Sequence, residues 1–212
     1  MDLLLASSNR GKLREIKAIL GDLPYQLLLP ADLGLTLAVE ESGLTFAENA
    51  AIKARAYCQA SGRVALADDS GLLVDALDGA PGLHSARYSP LPNAGDADRR
   101  AHLLKNLAAI PVPPGDPGWE AHFHCSVAIA TPSGELYTAE GDCPGFIITQ
   151  ERGSNGFGYD PIFFMPDFLA TMAQLDDTLK NSVSHRARAL QAARPLLEDL
   201  IHADGTHPPE SD

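Results

Sequence analysis

Apolar positions along the chain fall into short unbroken runs and into stripes spaced three and four apart. That pattern predicts buried strands interleaved with amphipathic helices. The first run is residues 3–6, Leu-Leu-Leu-Ala, followed by a helix with Leu13, Ile16, Ile19 and Leu20 on one face. Residues 24–39 carry two apolar patches around Pro30 and Gly34, read as a strand and a turn. Thr45 and Glu48 form a capping box for a helix that runs to about Ser61 and stops at Gly62. Residues 64–67 read as a buried strand that ends at Asp68 and Asp69, and residues 72–77 as a strand or extended segment. A turn over 78–82, a helix over 97–109 and a proline-rich loop over 111–118 come next. Strands are expected over 120–130 and 135–140, joined by a hairpin at Pro132-Ser133-Gly134-Glu135, then over 145–149 and 162–164. Residues 180–202 read as a C-terminal helix in which Pro195 puts continuity in question, and 203–212 as a disordered tail. The succession describes one α/β domain over residues 1–202.

Composition narrows the partners. The 212 residues are 45% hydrophobic and 21% charged, a globular balance with ample length for a core. A formal net charge of -12 argues against nonspecific nucleic-acid binding, which needs basic surface. No run approaches the ~20 apolar residues of a membrane span, and no signal peptide is evident. Three cysteines, Cys58, Cys125 and Cys143, are odd in number and lack metal spacing, which suits buried thiols in a reducing cytosol.

Three stretches carry candidate chemistry. Val64-Ala65-Leu66-Ala67 runs into Asp68-Asp69-Ser70-Gly71, placing two carboxylates at a strand end. Neighbours on extended backbone point to opposite faces, so one Asp can act while the other braces. Carboxylates there are hard ligands for Mg²⁺ and candidate general bases; an ordinary acidic turn is the alternative. Ser7-Ser8-Asn9-Arg10-Gly11-Lys12 feeds a helix N-terminus, an arrangement that attracts anions, although a plain capped helix start has the same composition. It is not a Walker A loop. Gly153-Ser154-Asn155-Gly156-Phe157-Gly158-Tyr159-Asp160 surrounds an aromatic with glycines, as a loop meeting a planar ring does; a packed glycine-rich hairpin is the alternative. His122 and His124 share a strand face without a third metal ligand nearby and read as sheet histidines.

With these residues in view, the chain resembles the inosine/xanthosine triphosphate pyrophosphatase family. The matching pieces are the Ser7–Lys12 loop, Glu41 to Ala50, Ala67 to Leu72, Pro81-Gly82 with Ser85 to Tyr88, Gly156 to Pro161, and Lys180 with Ser184-His185-Arg186. They occur in family order and cover residues 3 to about 200. Ser8 departs from the Gly or Asn that members often carry. The resemblance implies an elongated mixed β-sheet flanked by helices, two lobes with a central substrate cleft, a homodimer and Mg²⁺ dependence. It implies Mg-dependent hydrolysis of ITP, dITP and XTP to the monophosphate and pyrophosphate.

On that resemblance, Glu41 and Asp69 are expected to hold the metal, with Asp69 also accepting the proton of the attacking water. Glu40 stands as the neighbouring alternative to Glu41, and Asp68 is open to a share of the work. Ser7, Ser8, Asn9, Arg10, Gly11 and Lys12 are expected to hold the triphosphate, assisted by Lys53 and Ser70. Phe157 is expected to stack on the purine, with Gly158 and Tyr159 beside it. Lys180, His185, Arg186 and Asp160 are expected to read its edge. Two rivals are a pyrophosphatase for modified pyrimidine nucleotides and a nucleotide sensor without turnover.

Overall fold

Three strands pair in parallel at one side of a seven-stranded mixed sheet. The computed structural model describes residues 1–205 of the chain. Strand β1 (Asp2–Leu5) pairs in parallel with β2 (Gln26–Leu28) and with β3 (Val64–Val74), in register Leu3 to Val64 and Leu5 to Leu66. The remaining strands are β4 (Trp119–Ala130), β5 (Leu136–Ile147), β6 (Phe163–Met165) and β7 (Ala170–Thr171), in sheet order β2-β1-β3-β4-β5-β6-β7. The last two join antiparallel, Phe146 facing Phe164 and Phe164 facing Thr171. Leu3, Leu4 and Leu5 are wholly buried, as expected of a parallel strand covered on both faces.

The chain divides into two compact units. Unit 1 comprises residues 1–69 and 126–141 with the chain from 186 onward; unit 2 comprises 70–125 and 142–185. In unit 1, Ala50, Ala54, Tyr57 and Cys58 of helix α2 (Phe46–Ser61) pack on Leu4, Ala65 and Ala128. In unit 2, Leu103 and Leu107 of α3 (Asp96–Leu107) pack with Trp119, Phe123, Ile147, Phe163 and Met172. Helix α1 (Arg10–Ile19) lies in unit 1, α4 (Asp177–Val183) in unit 2 and α5 (His185–Gly205) almost wholly in unit 1. Among the described residues, no helix is long and apolar enough to cross a membrane.

Local signals fare well. The Thr45 hydroxyl accepts from the Glu48 N–H, the Glu48 carboxylate accepts from the Thr45 N–H, and Gly62 closes α2 in the left-handed conformation. Elsewhere the structure corrects the reading. Asp68 and Asp69 do not end a strand: β3 continues through them and through Gly71 to Val74, with a 3-10 turn only at Asp75–Leu77. Aspartate and glycine disfavour strands, but strand propensity yields to context, and here β3 is an inner strand between β1 and β4 whose two carboxylates are both paired. Strands expected over 135–140 and 145–149 are one strand, β5. Gly145 is no breaker; a Cβ there would lie 2.6 Å from the Phe163 ring, so its bareness lets β6 pair closely. The C-terminal helix is two helices. Ser184 takes an extended conformation between them, while Pro195 sits on an exposed face inside an unbroken α5. Lys180 therefore lies in the last turn of α4 rather than at a helix start. The expected tail begins too early, since α5 runs to Gly205; residues 206–212 lie outside the described residues.

Candidate active-site residues

In unit 1 the two aspartates of β3 serve different partners. Asp68 is completely buried, and one of its carboxylate oxygens accepts from Arg186 Nε at 3.1 Å and Nη2 at 2.9 Å. Lys12 Nζ stands 3.1 Å from the same oxygen. The third arm of the guanidinium donates to Glu15, a buried carboxylate one turn along α1 from Lys12. Asp69 turns to Lys53 of α2, whose ammonium lies 3.1 Å from Asp69 Oδ1 and 2.8 Å from Glu41 Oε1. Asn49, one turn before Lys53, accepts the Gly43 N–H at 2.8 Å and so holds the loop that presents Glu41. Gly43 permits this approach: a Cβ there would stand 2.8 Å from Asn49 Oδ1. Of the adjacent glutamates, Glu41 is the one brought to Lys53 beside Asp69.

These partners split two neighbouring carboxyls. Burial pushes Asp68 up, but Lys12, Arg186 and Lys53 outweigh it and hold the group well below the usual carboxylate range. Burial also pushes Asp69 up, Glu41 adds to this, and Lys53 with Lys12 only partly offsets it, so Asp69 ends raised. Burial works against the Lys53 ammonium, yet Asp69, Glu41 and Asp68 leave it more firmly protonated than usual. The two adjacent carboxyls are thus pushed in opposite directions, Asp68 down and Asp69 up.

The donor set fits a hard divalent cation. Two carboxylate oxygens already converge on one cationic centre, and only oxygen ligands are involved. Among the described residues no three His, Cys, Asp or Glu side chains gather as a cage. A carboxylate pair is what Mg²⁺ uses when substrate phosphates and water complete its shell.

The first loop is self-braced. Ser7 Oγ accepts from the Asn9 N–H at 3.2 Å, and Asn9 Oδ1 accepts from the N–H groups of Gly11 at 2.9 Å and Lys12 at 3.2 Å. Two amides expected to face an anion are therefore given to Asn9, while Ser8 and Arg10 are exposed. The Lys12 ammonium is what this loop carries toward Asp68.

In unit 2 the glycine-rich loop is tied down by charge. Asp160 Oδ2 accepts from the Phe157 N–H at 2.8 Å and pairs with Lys180 Nζ at 2.6 Å, both side chains being 4% exposed. Lys180 Nζ stands 4.9 Å from the Phe157 ring centroid, a cation–π distance. Gly156 (φ 74°) is required here, because a Cβ would fall 2.0 Å from Asp160 Oδ2. Gly158 gives its N–H to Asp96 Oδ2 at 2.8 Å and receives Arg100 Nη1 on its carbonyl at 2.9 Å. The buried Tyr159 donates to the Ser85 carbonyl at 2.9 Å, and burial pushes its phenol pKa up. His185 stacks on Phe123 with ring centroids 4.7 Å apart. Ser70 is a half-buried residue within β3.

The sequence therefore places Lys12, Glu41, Lys53 and Asp69 in one cluster and Phe157, Asp160 and Lys180 in another. Arg186, expected at the base edge, instead has its guanidinium on Asp68 and Glu15. Glu15, Asp96, Arg100 and Phe123 were not singled out. Glu15 carried one usable signal: an acid at i+3 from Lys12, next to Ile16 of the helix's apolar stripe.

Solved proteins share this arrangement of strands and helices. A HAM1 protein from Coxiella burnetii superposes with a TM-score of 0.82 at 40% identity, covering 94% of this chain and 99% of that one. The Ham1 family model matches residues 3–196, and the chain belongs to the Ham1 family. A relative from Geobacter sulfurreducens named dITP/XTP pyrophosphatase is 50% identical over 203 residues, 96% of this chain and 98% of its own length. One of the same name from Desulforamulus reducens is 44% identical over 205 residues, 96% of this chain and all of its own.

Proposed function

We propose that this chain hydrolyses the non-standard purine nucleoside triphosphates ITP, dITP and XTP to monophosphate and pyrophosphate, with Mg²⁺, and so clears them from the nucleotide pool. The broader statement is that it is a nucleoside-triphosphate pyrophosphatase, a hydrolase. That follows from its place in the Ham1 family beside relatives named for this activity along nearly their whole length. The observation that carries the metal-assisted part of the reading is the sharing of the Lys53 ammonium by Glu41 and Asp69, while the choice of purine substrates rests on the family resemblance and on relatives named dITP/XTP pyrophosphatase.

Glu41 and Asp69 would hold a divalent metal ion, which when bound would neutralise charge at the phosphates and acidify water. Asp69 takes the proton from the water that attacks the α-phosphorus; burial raises its pKa, which makes it a stronger base than its lowered neighbour Asp68. Lys53 keeps Asp69 and Glu41 together until substrate arrives. Asp68, locked in its charged form, fixes Lys12 for the triphosphate, with the rest of the 7–12 loop and Ser70 around it. Phe157 offers its ring to the purine beside Gly158 and Tyr159, and Lys180, His185 and Asp160 take the base edge. Arg186 is assigned to holding Asp68 and Glu15, to which it already donates. The reading includes a homodimer, implied by the family resemblance, and a cytoplasmic location, which the three buried cysteines suit; sedimentation tests the first.

The deciding experiment measures pyrophosphate released from ITP, dITP, XTP, ATP and modified pyrimidine triphosphates, with Mg²⁺ and with a chelator. Release from the first three, lost with the chelator, is expected. Orthophosphate as the product, or a preference for pyrimidines, overturns the reading.

A further inference from the structure

Phe157 lies between two glycines in the left-handed region, Gly156 at φ 74° and Gly158 at φ 64°. Glycine turns at low cost, so nothing in the local backbone fixes where the ring points. The fixing comes from side chains on both flanking peptides. The peptide before the Phe157 Cα is held through the Phe157 N–H by Asp160, and the one after it through the Gly158 N–H by Asp96, each at 2.8 Å. Arg100 then holds the Gly158 carbonyl at 2.9 Å. With both adjoining peptide planes tied to carboxylates, the Cα–Cβ direction of Phe157 is set.

Asp96 and Arg100 are four apart on α3 and share a face. Each is itself braced. Arg100 makes two bonds to Glu151, at 2.9 and 3.0 Å, and Asp96 is paired with Arg99. Bonds from ionised groups are about twice as strong as neutral ones, which suits a clamp on flexible backbone. An acid in the first turn of a helix favours the helix dipole wherever it points. That role alone accounts for no bond to a peptide 62 residues away.

Resting on the reading of Phe157 as the purine platform, we infer that Asp96 and Arg100 are positioning residues for base selection. They clamp Gly158 and so set the ring of Phe157.

The test compares Asp96→Ala, Arg100→Ala, Arg100→Lys, Phe157→Ala and the double variant Asp96→Ala/Phe157→Ala, all in the full chain and checked for native circular dichroism. Asp96→Ala and Arg100→Ala raise KM for ITP by about tenfold, the scale of a lost charged hydrogen bond, with kcat changed much less. Inhibition by inorganic tripolyphosphate, which has no base, keeps its wild-type constant. Arg100→Lys, able to reach one carbonyl but not to fork onto Glu151, recovers part of the loss. The double variant matches Phe157→Ala alone, because Asp96 acts through that ring. Additive KM losses, or weakened tripolyphosphate inhibition in Asp96→Ala, overturn the inference. A raised KM in Phe157→Ala with a wild-type KM in Asp96→Ala overturns it while the platform stands. A wild-type KM in Phe157→Ala removes both.

Discussion

The polar cluster of unit 1 and the loop of unit 2 use charge in opposite ways. In unit 1, cations from α1, α2 and α5 hold carboxylate side chains that project from β3 and the 40–43 loop. The backbone of β3 is already fixed by the sheet and that of the 40–43 loop by Asn49, and the charges set protonation: Asp68 lowered, Asp69 raised. In unit 2, charged side chains hold backbone. Asp96, Arg100 and Asp160 grip peptides of a glycine-rich loop that no ladder secures. Charge tunes chemistry where the scaffold is rigid and supplies rigidity where the scaffold is soft.

The contrast breaks most sharply at Asp69. Asp69→Asn keeps shape and loses the proton acceptor, and turnover falls ~10²–10⁴-fold with a native circular dichroism spectrum. Near-wild-type turnover moves the base elsewhere. Next in size is Arg186→Ala, which takes the guanidinium away from two buried carboxylates, Asp68 keeping Lys12; unfolding in urea shows a loss of ~3–5 kcal/mol. The ITP/ATP preference in kcat/KM survives in the folded fraction. A collapsed preference with unchanged stability returns Arg186 to the base edge.

Gly156→Ala sharpens the other side. Its Cβ meets Asp160 Oδ2 and its φ is strained, so stability falls by ~1–3 kcal/mol and KM for ITP rises. An unaltered KM shows that the loop geometry is dispensable for binding. The smallest effect is in acid. Burial raises the Asp96 carboxyl, but the Gly158 N–H, Arg99 and Arg100 outweigh this and leave it below 3.8. A carboxylate depressed by folding adds stability that is present above its unfolded pKa and is lost as pH falls through the folded one. The gap in thermal midpoint between wild type and Asp96→Asn therefore narrows below pH 3.8. A gap constant through that range means the charge of Asp96 contributes nothing to the clamp.

What could be read from sequence was what is local. The Thr45/Glu48 box and Gly62 bound α2 because each bond spans a few residues. The glycines around Phe157 announced an unusual loop. Asp68-Asp69 read as a strand end because the groups that keep them in β3 are Lys12, Lys53 and Arg186, up to 118 residues away. Asp96 lies just before the helix expected over 97–109, and nothing near it names Gly158. Arg186 stood in a motif of donors, and only the fold reveals that Asp68 and Glu15 take its guanidinium.

The pairing of Arg186 with Asp68 and Glu15 also bears on how the protein is made. These partners lie 118 and 171 residues apart, and Arg186 is among the last parts of the described chain to leave the ribosome. Until then, Asp68 has Lys12 but not the guanidinium that neutralises it in the core. Contacts of such long separation slow folding and lengthen the exposure of apolar strands. Synthesis of this protein thus leaves the first unit unfinished until its third segment, the chain from 186 onward, has been made.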